Sequence, residues 1–171
     1  MITRIRTFPR DEKALRTRAA RVASIASVAV FAAELVEWMH REDGLGLAAN
    51  QVESEEFPTV SPAIFALAPN HAESLVLVNP EIVFATGAEV QDEGCLSFGG
   101  VVERLPAPTA VKLRFTYLDG DVHEQDYEGL LARCVAHEVD HLSGKLMIDR
   151  MVRWQRRVFL RKLQAALGSE R

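Results

Sequence analysis

His137-Glu138-Val139-Asp140-His141 reads as one turn of helix with its chemistry gathered on one side. At 3.6 residues per turn, positions four apart share a face, so both imidazoles can approach one cation while Glu138 stands beside it. H-E-x-x-H is a metal-hydrolase signature; the bland alternative is two ordinary helix histidines placed by chance. Two neutral imidazoles suit zinc or another first-row divalent ion, and they leave a third protein ligand and a water to come from elsewhere.

Candidates for that third ligand are few. Downstream of His141 there is no further histidine, and the acidic residues are Asp149 and Glu170. A zincin peptidase takes its third ligand from downstream of the motif, so this segment counts against a peptidase. Upstream stand two cysteines, Cys95 and Cys134. Cys134 falls on the same helix seven residues before His141, about 10 Å along the axis at 1.5 Å per step. One ion with bonds of about 2.0 to 2.3 Å cannot collect it and both histidines. Cys134 therefore reads as a small packed residue. Cys95, just after Gly94 on a strand-to-loop edge, can project its sulfur and turn the next N–H toward whatever the sulfur holds. A Cys95–Cys134 disulfide is the competing use of the pair, but beside H-E-x-x-H a thiolate ligand in a reducing compartment fits better.

Outward from these residues, 171 positions with 48% hydrophobic and 26% charged side chains suit one globular domain spanning 1–171. A net charge of -4 gives no global reason to expect nucleic acid. Phe8-Pro9-Arg10-Asp11 predicts an extended segment and then a helix start at Asp11. The apolar run 22–36, continuing through Trp38 and Met39, predicts a helix buried on most faces and too interrupted to span a membrane. Arg16, Arg18 and Arg21 ahead of that run give it the layout of an export leader, but Asp11 and Glu12 and the continuation into Trp38 favour a core helix. Gly44 predicts the helix stop. Residues 53–74 are acidic and Pro-interrupted loops around a short strand at 64–67. Further strands are predicted at 75–79 and 81–85 around Pro80, and at 111–117, where alternation is strict and Asp119-Gly120 supplies a hairpin turn. A basic amphipathic helix with Arg153, Arg156, Arg157, Arg161 and Lys162 is predicted over 152–167. The fold class is therefore α+β: mainly antiparallel sheets around a central helix carrying the motif, with an N-terminal and a C-terminal helix.

Three blocks, Gly44-Leu-Gly-Leu-Ala-Ala-Asn-Gln51, Glu93-Gly-Cys-Leu-Ser97 and His137-Glu-Val-Asp-His141, resemble the three motifs of the peptide deformylases, in that family's order and spacing. Val78-Asn-Pro-Glu-Ile-Val83 and Leu142-Ser-Gly-Lys-Leu-Met-Ile-Asp-Arg150 look similar too. The chain departs at Phe98-Gly99-Gly100, where the family has Ile or Val, then Pro and Gly, in what looks like a shortened loop. It departs again at Ala136, where the family has Gln.

Carried over, the resemblance implies Cys95, His137 and His141 as metal ligands and Glu138 as the acid/base. It implies Gln51 and the backbone N–H of Leu96 as oxyanion donors, with Leu45 and Gly46 contacting the bound peptide. Glu93 and Arg104 would be supporting charges paired with each other. Arg133, one turn before His137, would contact substrate, or else snorkel at the surface. The implied cofactor is one divalent ion, ferrous iron in the cell, with zinc, nickel or cobalt able to take the same ligands. The implied reaction is hydrolysis of the N-formyl group from the starting methionine of nascent polypeptides. The basic C-terminal helix would reach the ribosome, and the protein would be a monomer of the cytoplasm or of a bacterial-type organelle, with no membrane attachment. Two rivals are a different H-E-x-x-H metallopeptidase and an inactive, ribosome-binding relative.

Overall fold

Each strand's apolar pattern tells how many of its faces are covered. The computed structural model describes residues 1–70 and 73–169. It runs β1 (Ile2–Ile5), α1 (Glu12–Leu15), α2 (Ala29–Arg41), β2 (Gly46–Ala48), β3 (Val52–Ser54), β4 (Ile64–Asn70), β5 (Glu73–Thr86), β6 (Glu89–Glu93), β7 (Glu103–Ala107), β8 (Ala110–Thr116), β9 (Val122–Glu128), α3 (Gly129–Leu142) and α4 (Arg153–Ser169). Glu170, weighed above as a ligand, lies outside the described residues. Five strands make one antiparallel sheet in the order β2-β4-β5-β8-β9, beside two small antiparallel pairs, β1-β3 and β6-β7. This is the α+β arrangement expected.

β4 is an apolar run because both its faces are covered. Ile64 and Ala66 join Phe31, Leu35 and Met39 of α2, while Phe65 and Leu67 join Ala132 and Val135 of α3. β8 packs against α3 only on one side, so Val111, Leu113 and Phe115 turn inward while Lys112 and Arg114 turn out, and the sequence alternates. The β8-β9 hairpin closes at Asp119-Gly120 as predicted, with Gly120 at φ 97 and the Tyr117 N–H donating to Asp121 O at 3.0 Å.

Two boundaries differ from expectation. The helix predicted over 22–39 begins at Ala29, and the preceding residues form a strap. In it Val22 exchanges two hydrogen bonds with the Asn79 side chain, at 2.8 and 2.9 Å, and Ala20 bridges to Pro62. The Asn79 amide supplies the partners that a helix would have supplied, and apolar composition cannot distinguish the two. The strands predicted at 75–79 and 81–85 are one strand, β5. Asn79 at φ 51 and Pro80 make a bulge where the register with β8 slips between Val78 and Glu81.

A third cluster closes the end of the molecule that carries Cys95. Phe98 stacks on Phe8 with centroids 5.2 Å apart and meets Phe159 of α4 edge-on at 5.6 Å. Leu15, Met147 and Leu163 complete the packing. Phe98 thus anchors the loop after Cys95 in a core shared with α1 and α4.

Candidate active site

Three elements converge on one cleft. α3 begins at Gly129 (φ 56) and turns Arg133, Cys134, His137, Glu138 and His141 to its buried side. β6 delivers Glu93 and Gly94; Cys95 follows in extended conformation (φ -148), then one 3-10 turn over Leu96–Phe98 that Gly99 ends at φ 59. β2, an edge strand of the five-stranded sheet, runs into a 3-10 turn over Ala49–Gln51.

The Cys95 Sγ lies 3.2 Å from His141 Nε2, which lies 3.1 Å from His137 Nε2. All three donor atoms are buried and within 4.8 Å of one another. A tetrahedral ion with bonds of 2.0 to 2.3 Å needs donors roughly 3.3 to 3.7 Å apart, so the set fits one divalent cation with a small outward adjustment. Burial holds His141 well below the ordinary histidine pKa, while Cys95, Glu93 and Glu138 outweigh burial at His137 and push it well above, so the two coupled rings differ in basicity and the fit to a cation rests on geometry. Cys134 does not join the group. Both thiols are free, and burial pushes that of Cys134 far up, leaving it an un-ionised packed side chain as its spacing predicts.

Glu93 sits behind His137. Its Oε1 accepts the His137 Nδ1–H at 2.8 Å and a hydrogen bond from Arg150 Nη2. Burial pushes the Glu93 carboxyl up, but the His137 bond and the Arg150 charge outweigh it, and the group stays below its usual range. The expected Glu93–Arg104 pair is not formed. Register places Arg104 opposite Asp92 and Glu93 opposite Glu103, so Arg104 and Glu93 lie on opposite faces of the β6-β7 ribbon. Arg104 instead donates to Val90 O at 3.2 Å.

Arg133 is 5% exposed, so it is no snorkelling surface residue. Its guanidinium donates to the carbonyls of Glu89, Gln91 and Leu105 at 3.1 to 3.3 Å, fastening β6 and β7 to α3, while it also lines the cleft.

That cleft, about 320 Å³, brings Leu45, Gly46, Gln51, Leu96 and Glu138 to Cys95 and His137. Gln51 Oε1 accepts the Ala48 N–H at 2.9 Å, which turns Nε2 toward Cys95 Sγ at 3.5 Å and Ser97 Oγ at 3.2 Å. Leu96 opens its turn, so its N–H has no acceptor within that turn. The Ala68 N–H donates to Leu45 O, so Leu45 and Ala68 are a hydrogen-bonded pair; alternation then turns the N–H and C=O of Gly46 to the free edge of β2. Glu138 Oε2 is buried with no hydrogen-bond partner among the described residues, and burial pushes its carboxyl up to about 7 against the pull of His137.

Two supporting residues escaped the sequence reading. Asn50 Nδ2 donates to His141 O and to Leu15 O, tying the last ligand's backbone to α1. Arg150 reaches Glu93 from a turn beyond the helix. Neither position has a spacing that marks it, and only the folded chain brings them in.

The sequence model of the polypeptide deformylase family matches residues 2–157. Among curated relatives, the peptide deformylase of Rhodopseudomonas palustris strain BisA53 is 36% identical over 91% of this chain and 87% of its own. That of Afipia carboxidovorans is 38% identical over 91% of each. Among solved structures, a peptide deformylase from Legionella pneumophila superposes with a TM-score of 0.87 at 31% identity, covering 99% of this chain and 98% of its own. That from Thermus thermophilus gives 0.84 at 29% identity, covering 96% and 95%.

Proposed function

The chain belongs to the peptide deformylase family, whose reaction is removal of the N-formyl group from nascent polypeptides, and from that premise we propose how its residues divide the work. Cys95, His137 and His141 hold one divalent ion. The observation that carries this is the meeting of a loop thiol with two helix imidazoles at 3.1 to 3.2 Å. Such an ion would supply a Lewis acid for the formyl oxygen and a water acidic enough to ionise near neutral pH. One thiolate and two imidazoles accept several first-row metals; the reading is ferrous iron in the cell, with zinc, nickel or cobalt as substitutes. A ferrous centre with a thiolate ligand loses activity in air, and stable turnover over hours in aerated buffer counts against iron.

Glu138 takes the attacking water's proton and returns it to the leaving amine nitrogen. Its unpartnered, buried Oε2 and its raised pKa suit a group that must hold a proton between those steps. Gln51 Nε2 and the Leu96 N–H donate to the formyl oxygen as it gains charge. The free edge of Gly46 pairs with the substrate backbone as an added strand, with Leu45 beside it. Arg133 meets the substrate only with the donors left over from its three carbonyls. Its main work is to hold the ribbon that carries Cys95.

The partner is the formylmethionyl nascent peptide. α4 leaves Arg153, Arg157 and Arg161 without ion pairs among the described residues and Trp154 70% exposed, which supports docking on ribosomal RNA by a protein acting as a monomer. Charge-reversing Arg157 and Arg161 should then reduce ribosome co-sedimentation. Among the described residues no helix is long and apolar enough to cross a membrane, in keeping with work in the cytoplasm or a bacterial-type organelle. Incubation with formyl-Met-Ala-Ser tests the reaction: formate and free Met-Ala-Ser are expected. Cleavage of internal bonds would point to a peptidase, and no product to an inactive relative.

A further inference from the structure

The turn after α3 reaches back to the ligand set from outside any of the three motifs. Arg150 ends a 3-10 turn over Met147–Arg150 that is pinned at two points. Asp149 accepts the Leu146 N–H at 2.9 Å and pairs with Arg16 at 2.9 Å. From there the guanidinium of Arg150 spans three elements. Nη2 donates to Glu93 Oε1, Nη1 donates to Pro106 O on β7 at 3.0 Å, and Nε stands 4.0 Å from Asp140 Oδ2 on α3, between the two histidines. On the other side of the same carboxylate, Arg133 Nη1 lies 3.7 Å from Oε2, which accepts no hydrogen bond among the described residues.

Both hydrogen bonds to Glu93 therefore fall on a single oxygen. A carboxylate bonded in this way turns about its own axis once one of the two is removed, and Oε1 then leaves the line of the His137 Nδ1–H. The acceptor behind Nδ1 fixes which ring nitrogen carries the proton, and so keeps the Nε2 lone pair facing Cys95 and His141. We infer that Arg150 is a positioning residue for the metal ligand His137: by holding Glu93 Oε1 against Nδ1–H, it sets the tautomer and angle at which Nε2 meets the ion. Arg133 adds charge from the opposite side and keeps β6 in place. The inference rests on the metal-centre reading above, since it concerns how that reading's ligand is held.

Uptake of Co²⁺ by the full chain, measured by competition with a chelator and by the cobalt absorption spectrum, reads this without recourse to turnover. Four proteins are compared: wild type, Arg150→Met, Glu93→Gln and the double variant. Residues that orient a metal-bound histidine typically cost 10- to 100-fold in metal affinity when changed, so Arg150→Met is expected to weaken Co²⁺ binding about 10-fold and to shift the spectrum. Because Arg150 acts through Glu93, the double variant should bind no more weakly than Glu93→Gln alone. A merely structural arginine would instead multiply the two losses. Multiplied losses, or an Arg150→Met affinity within about twofold of wild type, overturn the inference. Arg150→Lys keeps the charge but cannot hold both Glu93 and the Pro106 carbonyl, so it should fall between wild type and Met. If Arg150→Met does not fold, Arg150→Lys in both Glu93 backgrounds carries the same comparison. No Co²⁺ uptake by wild type overturns the metal-centre reading and the inference with it, whereas uptake without coupling overturns the inference alone.

Discussion

Gly46 has no room for a side chain: a Cβ there would stand 2.7 Å from Cys134 Sγ and 2.8 Å from Glu138 Oε1. β2 crosses α3 so closely at this point that only a glycine fits, and the approach brings its free edge beside the carboxyl of Glu138. Gly46→Ala should destabilise the fold by about 1–3 kcal/mol through overpacking and displace Glu138, lowering kcat/KM as well. Urea unfolding and the hydrolysis rate check the two effects; an unchanged rate would mean that Glu138 is not held against this strand. That Cys95, His137 and His141 would cluster beside Glu138 could be read from the chain, because the two histidines share a helical period and Cys95 is the cysteine left once helix length excludes Cys134. Glu93's partner could not. The register of β6 against β7 put Arg104 on the wrong face, and an arginine 57 residues beyond Glu93 took the place.

At the scale of elements, β4, β8 and α3 were legible because one covered face leaves a period of two or 3.6 and two covered faces leave an apolar run. The start of α2 was not. Residues 20–28 are as apolar as a helix, yet Asn79, distant in sequence, satisfies Val22 from the side. The small strands β1, β3 and β7 gave no signal either, being short and paired only in twos, and β6 showed only as the strand edge before Cys95. α4 is amphipathic as its sequence predicts, and its apolar face buries Phe159 and Leu163 against Phe98, three residues after Cys95. Phe159→Ala should cost about 3–5 kcal/mol and loosen the loop that carries Cys95, so metal should be released to a chelator faster at temperatures where the fold survives. Retention equal to wild type would show that α4 does not support the loop.

Across the whole molecule, ion pairs tie its early segments to the rest. Arg4 on β1 grips Asp11, ahead of α1, with two bonds of 2.7 and 2.8 Å, and Arg16 reaches Asp149. The hydrogen bonds from Arg4 hold the Asp11 carboxyl at about 2, against 3.8 for the free group. As pH falls, the unfolded chain binds this proton first, so the pair's contribution is full above the unfolded value. It shrinks through the window between 3.8 and about 2, and is gone below it. With screening at the surface the contribution is about 1–2 kcal/mol. Asp11→Asn should therefore lose stability at pH 6 and show a flatter decline between pH 4 and 2, as followed by urea midpoints. The assembled molecule gathers the Cys95 sulfur, two imidazoles and the buried Glu138 carboxyl around one cleft, and the proposed chemistry puts the formyl group there. Formate release from formyl-Met-Ala-Ser by wild type and Glu138→Gln at equal metal content tests this most directly. Glu138 is not a ligand, so the variant should keep its metal and lose about 10²- to 10⁴-fold in kcat. A variant that keeps its metal and releases formate at the wild-type rate would contradict the account.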